Sequence, residues 1–188
     1  MAGGGRVRDV QLLDAIEALT PKGFAGTLWR VVREGRDPLV GSSVGGRWDD
    51  RTFDVLYTSK KAEGAIAEMH FHITRGQPVI PSRVNFVLYE ISADLQSCIE
   101  LPTLDALARL GLRTEQYGQL SYFERLQEYP RTQEIAEVAH FLGHGGLIVP
   151  SARYPTENVV IYCDRVLPGH LTVAKKHGFV DWAKRKPM

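Results

Sequence analysis

Gly45-Gly46-Arg47-Trp48, followed by Val55-Leu56-Tyr57-Thr58-Ser59 and then by Ala65-Ile66-Ala67-Glu68, is the stretch around which the chain is organised. A glycine pair lets another backbone or a ligand approach closely. Val55-Leu56-Tyr57 has the β-branched and aromatic character of a short strand. Ser59 is positioned to cap a helix that the apolar spacing predicts through roughly Arg75. Ala62, Ala65, Ile66, Met69 and Ile73 form one apolar face of that helix, while Gly64, Ala67 and Phe71 form a second. A helix apolar on two sides is expected to pack on two sides, with Glu68 partly buried on the second.

Upstream, Thr27-Leu28-Trp29-Arg30-Val31-Val32 reads as a strand in which Leu28 and Val32 bracket Arg30 on one face. Asp9 opens a predicted helix whose stripe of Val10, Leu13, Ile16 and Leu19 stops before Pro21. Residues 33–50 contain Gly35, Pro38, Gly41, Gly45 and Gly46 and no periodicity, which predicts a long loop, of a kind usually functional or disordered. Downstream, a strand is expected from Val84 to Ser92 with Val87, Tyr89 and Ile91 on one side. A short helix follows from Thr103 to Leu110, ended by Gly111, and a clearer one from Thr132 to Leu142, ended by Gly143. Within 112–130, Leu120, Phe123, Leu126 and Gln127 suggest a helical turn or two. Gly146–Pro150 and Val159–Cys163 are two apolar strands, and the stretch after Pro168 looks like a basic tail. Mixed strands and helices without regular βαβ alternation predict the α+β class, a mixed central sheet with flanking helices.

The 188 residues suit one domain, which would bury ~70% of its unfolded surface. A net charge of +1 supplies no global field toward nucleic acid or an anionic membrane. Cys98 and Cys163 are the two cysteines and lie in no CxxC pattern, so a thiolate zinc site is excluded and reduced thiols are expected. The N-terminal Met-Ala-Gly-Gly-Gly-Arg lacks a signal-peptide core, and no stretch has the ~20 apolar residues of a membrane span. The expectation is a cytoplasmic protein with no metal and no membrane partner.

GxGxxG, GxxxxGK[ST] and GxSxG are all absent, which removes Rossmann, Walker and hydrolase-elbow sites. Glu137, His140 and His144 share a helix, but their order is not HExxH, so packed or solvated histidines are preferred to a metal site. Arg30 inside an apolar strand needs an anion, either a bound phosphate or carboxylate or an internal Asp or Glu. Arg47 alone would be a turn arginine, Tyr57 a core aromatic, Glu68 a solvated helix residue and Ser151 a loop serine.

Taken together these residues mean more. Leu28-Trp29-Arg30, Gly46-Arg47-Trp48, Leu56-Tyr57-Thr58-Ser59, Ala65-Ile66-Ala67-Glu68, Pro150-Ser151-Ala152-Arg153 and Asn158-Val159-Val160 together resemble the RES-domain family over about residues 24–167. Residues 1–23 and 168–188 fall outside the likeness. The family's arginine, glutamate and serine would be Arg30, Glu68 and Ser151. The resemblance implies an ADP-ribosyltransferase-like fold and a bacterial toxin that consumes NAD as substrate. It also implies an Xre-type helix-turn-helix antitoxin as partner and ADP-ribose passed to water, phosphate or a protein target.

The residue types suit that chemistry. Breaking the nicotinamide–ribose bond develops positive charge on the sugar, which a fixed carboxylate stabilises, the role assigned to Glu68. Arg30 and Arg47 would clamp the pyrophosphate or an adjoining anion, with Arg153 as a further anion ligand. Tyr57 would stack on the nicotinamide or ribose, and Ser151 and Asn158 would contact the ribose or phosphate. Ser151 has no His–Asp relay nearby in sequence and is not read as a nucleophile. The rival readings are a non-catalytic nucleotide-binding or protein-interaction module and direct nucleic-acid binding through the basic tail (Lys175, Lys176, Lys184, Arg185, Lys186), the latter disfavoured by the net charge. Self-association is compatible with the sequence but not encoded visibly in it.

Overall fold

Asp9 caps α1 (Val10–Glu17) as its position demands, its carboxylate accepting from the backbone N–H groups of Gln11 at 3.0 Å and Leu12 at 3.3 Å. In the computed structural model, which describes residues 8–74, 84–115, 117–119 and 129–184, the chain then alternates strands and helices. In order these are β1 (Lys22–Arg33), β2 (Val55–Ser59), α2 (Ala62–Thr74), β3 (Phe86–Glu100), α3 (Leu104–Arg109), α4 (Tyr129–Phe141), β4 (Gly146–Pro150), β5 (Glu157–Tyr162) and β6 (Leu171–Phe179). Gly111 and Gly143 follow α3 and α4 with φ of +82° and +86°, the left-handed stops that glycine adopts without steric cost.

The strands run in the order β1-β2-β5-β4-β3-β6, and β1 also pairs with β3, so five of them close into a ring. The β1–β3 ladder is antiparallel from Lys22↔Cys98 to Arg33↔Phe86, whereas β1 meets β2 at Trp29↔Ser59. The β3–β4 pairing is parallel and the rest antiparallel, which makes the sheet mixed and the class α+β. Leu28, Leu56, Ile91, Ile148, Val159 and Ile161 fill the interior, each at most 2% exposed. Full burial of such a side chain contributes about 1.5–3 kcal/mol.

Two further cores lie outside the ring. Against β2, β5 and β4, helices α1, α3 and α4 bury Ile16, Leu107 and Ile135 over Leu147, Val160 and Tyr162. Against β1 and β3, α2 buries Ala65 and Ile66 over Val31 and Phe86. Strand alternation therefore sends Leu28, Arg30 and Val32 to the inner side of β1 and Val31 to the side covered by α2.

Three expectations need correction. β3 continues to Glu100 rather than ending at Ser92, because its second half gains a partner, β4 at Cys98–Glu100, that local sequence does not reveal. The stretch read as a basic tail forms β6, which pairs with β3 from Ala93↔Leu171 to Val87↔Phe179, and Trp182 then packs on Phe86 at 5.8 Å between ring centroids. Ser59 does not cap the first turn of α2. Its Oγ accepts from Lys61 N at 3.4 Å, one residue before the helix begins, in a turn that leads into it. Leu120, Phe123, Leu126 and Gln127 lie outside the described residues. No helix among the described residues is long and apolar enough to cross a membrane.

Candidate functional site

A cavity of about 510 Å³ opens between α2, β1 and the 33–50 loop, within the ~300–1,000 Å³ usual for small-molecule sites. Glu68 reaches it from the second face of α2. Gly64, one turn earlier, brings the helix close to the sheet, for a Cβ there would stand 2.3 Å from Ser59 Oγ and 2.6 Å from Thr156 Cγ2. That contact sets the height of Glu68 above the ends of β2 and β5.

The carboxylate is held by two residues far along the chain. Ser151 Oγ donates to Glu68 Oε1 at 2.7 Å, and Asn158 Nδ2 donates to the same oxygen at 2.9 Å. Asn158 is placed by the sheet, opposite Ser59 on β2 and Val149 on β4. Ser151 is placed by a folded turn, its N–H on Thr156 O at 2.9 Å and its Oγ accepting from Arg153 N at 3.2 Å. Both donors fall on Oε1, and among the described residues none reaches Oε2. Asn158 Oδ1 is buried without a hydrogen-bond partner among the described residues, which leaves an acceptor at the cavity wall.

Two arginines flank the carboxylate. The Arg153 guanidinium lies 3.3 Å from the Phe71 ring centroid and donates to Gly118 O. Burial pulls its pKa below the ordinary value, and the charge of Glu68 opposes that shift. Arg47 lies 4.6 Å from the Tyr117 ring centroid and 5.3 Å from that of Tyr129. Such aromatic contacts help hold a guanidinium in place. Burial pushes the Tyr117 hydroxyl up to about 12, Arg47 opposing, and that hydroxyl donates to Pro150 O at 2.8 Å.

The glycine pair is organised by a residue that sequence reasoning passed over. Asp49, fully buried, accepts from Gly45 N and Gly46 N at 2.6 Å each and from the Tyr57 hydroxyl at 3.1 Å. Trp48 N donates to the same Tyr57 oxygen at 2.9 Å, and burial beside Asp49 pushes the Tyr57 phenol well above its usual pKa. Tyr57 thus lines the cavity with its hydroxyl already engaged. A carboxylate three and four residues beyond two N–H groups is a local turn pattern that could have been noticed. Tyr117, Tyr129 and Phe71 carried no such signal, since only the fold brings them to Arg47 and Arg153.

Arg30 differs from expectation in its partners. Its Nη1 donates to Pro38 O at 2.7 Å and Val40 O at 2.9 Å, so its fork pins the long loop rather than pairing with an internal carboxylate. Burial lowers its pKa to about 10, with Asp37 opposing, and it remains charged at neutral pH. It still lines the cavity with Glu68, Arg47, Tyr57, Arg153 and Asn158. Away from the site, Glu137 takes Arg8 at 2.6 Å, His140 faces Asp164 at 3.0 Å and His144, which lies beyond the end of α4 rather than on it, bonds Ser97 Oγ at 2.9 Å, so the three point to separate partners.

The RES domain model matches residues 27–182 of the chain. In a solved structure of the M. tuberculosis MbcT–MbcA toxin–antitoxin complex, one chain superposes with a TM-score of 0.78 at 22% identity, over 94% of this chain and 95% of that one. That likeness shows the fold. No curated protein matches the sequence significantly.

Proposed function

Because this chain belongs to the RES domain family, we propose that it is the toxin of a toxin–antitoxin pair and consumes NAD by cleaving the nicotinamide–ribose bond. The observation that carries the reading is the Glu68 carboxylate, fixed by Ser151 and Asn158 on the wall of a cavity that also holds Arg47 and Arg153. The C1′–N bond breaks with its electron pair leaving on the nicotinamide ring, which departs neutral and needs no general acid. Positive charge develops on the ribose, and a carboxylate already oriented by two donors stabilises it without reorganising. The arginines neutralise the pyrophosphate, and Tyr57 offers its ring to the sugar or the nicotinamide. Water, phosphate or a protein nucleophile then takes the ADP-ribose.

The partner in this reading is an antitoxin with an Xre-type helix-turn-helix domain, encoded next to the toxin and neutralising it in the cytoplasm. Support comes from the M. tuberculosis structure, a toxin–antitoxin complex by its description. Purified protein incubated with NAD, alone, with phosphate or with lysate, should release nicotinamide. Glu68→Gln keeps the shape and removes the charge, and a loss of about 10²-fold or more with an unchanged melting temperature is expected. Equal rates for the two proteins would remove Glu68 from the chemistry, and no nicotinamide release by the wild type under any condition would return the site to a non-catalytic binding module.

A further inference from the structure

The cavity is lined by Arg30, Arg33, Arg36, Arg47 and Arg153 against one carboxylate, Glu68. A dinucleotide pyrophosphate carries two negative charges, which Arg47 and Arg153 match. Arg30 donates to the carbonyls of Pro38 and Val40, and Arg153 to that of Gly118. Arg33 and Arg36 are left over. Both are exposed, at the end of β1 and in the turn that follows, where Arg36 N donates to Arg33 O at 3.1 Å. Neither guanidinium has a hydrogen bond or ion pair among the described residues, and the neighbouring carboxylates are engaged elsewhere. Glu34 accepts from Asn85 Nδ2 at 3.0 Å, and Asp37 accepts from Leu39 N at 2.8 Å.

We propose that Arg33 and Arg36 form a phosphomonoester subsite at the mouth of the cavity, so that the preferred dinucleotide bears a phosphate on the 2′-oxygen of its adenosine ribose. This rests on the dinucleotide reading of the site given above. A phosphomonoester carries about −1.5 to −2 charge near pH 7, which two guanidiniums balance. Their planar forks suit its oxygens, and arginine is the side chain that dinucleotide sites use for a ribose 2′-phosphate. The turn closed by Arg36 N on Arg33 O holds the two arginines three residues apart, and they line the same cavity as Glu68 and Asn158. A cavity of about 510 Å³ that holds both groups suits a ligand with its nicotinamide against Glu68 and its adenosine ribose against the arginines.

Calorimetric titration of the full chain with ADP-ribose and with 2′-phospho-ADP-ribose, in phosphate-free buffer, tests this without requiring turnover. The 2′-phosphorylated ligand should bind at least about tenfold more tightly, the effect of one or two charge-assisted hydrogen bonds. In the R33S/R36S double variant the ratio should fall to within about twofold. Since both side chains are exposed and make no hydrogen bond or ion pair among the described residues, the melting curve serves as a check that the fold persists. Equal affinities in the wild type, or a ratio that survives the double substitution, overturn the subsite while leaving the dinucleotide reading standing. Inorganic phosphate bound by the wild type and not by the double variant, with no preference between the two nucleotides, assigns the arginines to a free anion and also overturns it. Binding of neither nucleotide removes the dinucleotide reading and this subsite with it.

Discussion

Asp49→Ala is the substitution that the loop architecture makes most consequential. The carboxylate is fully buried and serves three donors, Gly45 N and Gly46 N at 2.6 Å and the Tyr57 hydroxyl at 3.1 Å. Hydrogen bonds to a charged group contribute about 1.5–3 kcal/mol each, so three set an upper bound near ~4.5–9 kcal/mol. Gly45 and Gly46 are half-buried, and water entering the vacated space can satisfy part of that demand, which halves the figure to roughly 2–4.5 kcal/mol. At about 2–4 °C per kcal/mol for a chain this long, the melting temperature should fall by roughly 10 °C. Urea denaturation should show the same loss at an unchanged m-value. Asp37→Ala is the matched control, for Asp37 is exposed and accepts one bond, from Leu39 N at 2.8 Å, and should cost under about 1 kcal/mol. Nicotinamide release should fall along with stability in Asp49→Ala, since the glycine pair, Arg47 and the Tyr57 ring all hang from this side chain. A melting temperature within about 3 °C of wild type would refute the claim that Asp49 organises this wall of the cavity.

Gly64→Ala would ordinarily favour a helix by ~1 kcal/mol, but here the new methyl meets Ser59 Oγ at 2.3 Å and Thr156 Cγ2 at 2.6 Å. The helix must lift, and nicotinamide release should drop at least tenfold while the protein stays folded by circular dichroism; wild-type activity would show that the height of α2 does not matter. Burial lowers the His144 pKa below its ordinary 6.5, so its neutral form is favoured in the fold. Its contribution to stability is present above about pH 6.5 and is lost as pH falls through the folded-state pKa. His144→Gln should flatten the urea-midpoint profile between pH 7 and 5, and an unchanged slope would contradict this.

Much of the local structure was legible in the chain because its causes are local. Asp9 before an apolar stripe, Thr103 before α3 and the glycines at 111 and 143 specify helix ends through bonds and dihedrals spanning a few residues. The order of Arg30, Glu68 and Ser151 was legible as well, and with the motifs around them it carries the resemblance to the RES-domain family. For the strands that differ from expectation, the cause is a partner distant in sequence. β3 extends to Glu100 and β6 exists as a strand because of hydrogen bonds made across the sheet, and a basic run with exposed side chains shows no alternation to reveal it.

The same division runs through the site. Residue types and their order determined that a carboxylate, arginines and a serine were available to one pocket. Tertiary structure alone decided that Ser151 and Asn158, 83 and 90 residues from Glu68, share one oxygen of its carboxylate. It alone also turned the Arg30 fork onto the carbonyls of Pro38 and Val40. The physical reason is that periodicity tells which face a side chain occupies, whereas the group it meets there depends on how the closed ring of strands and the packing of α2 bring distant segments together.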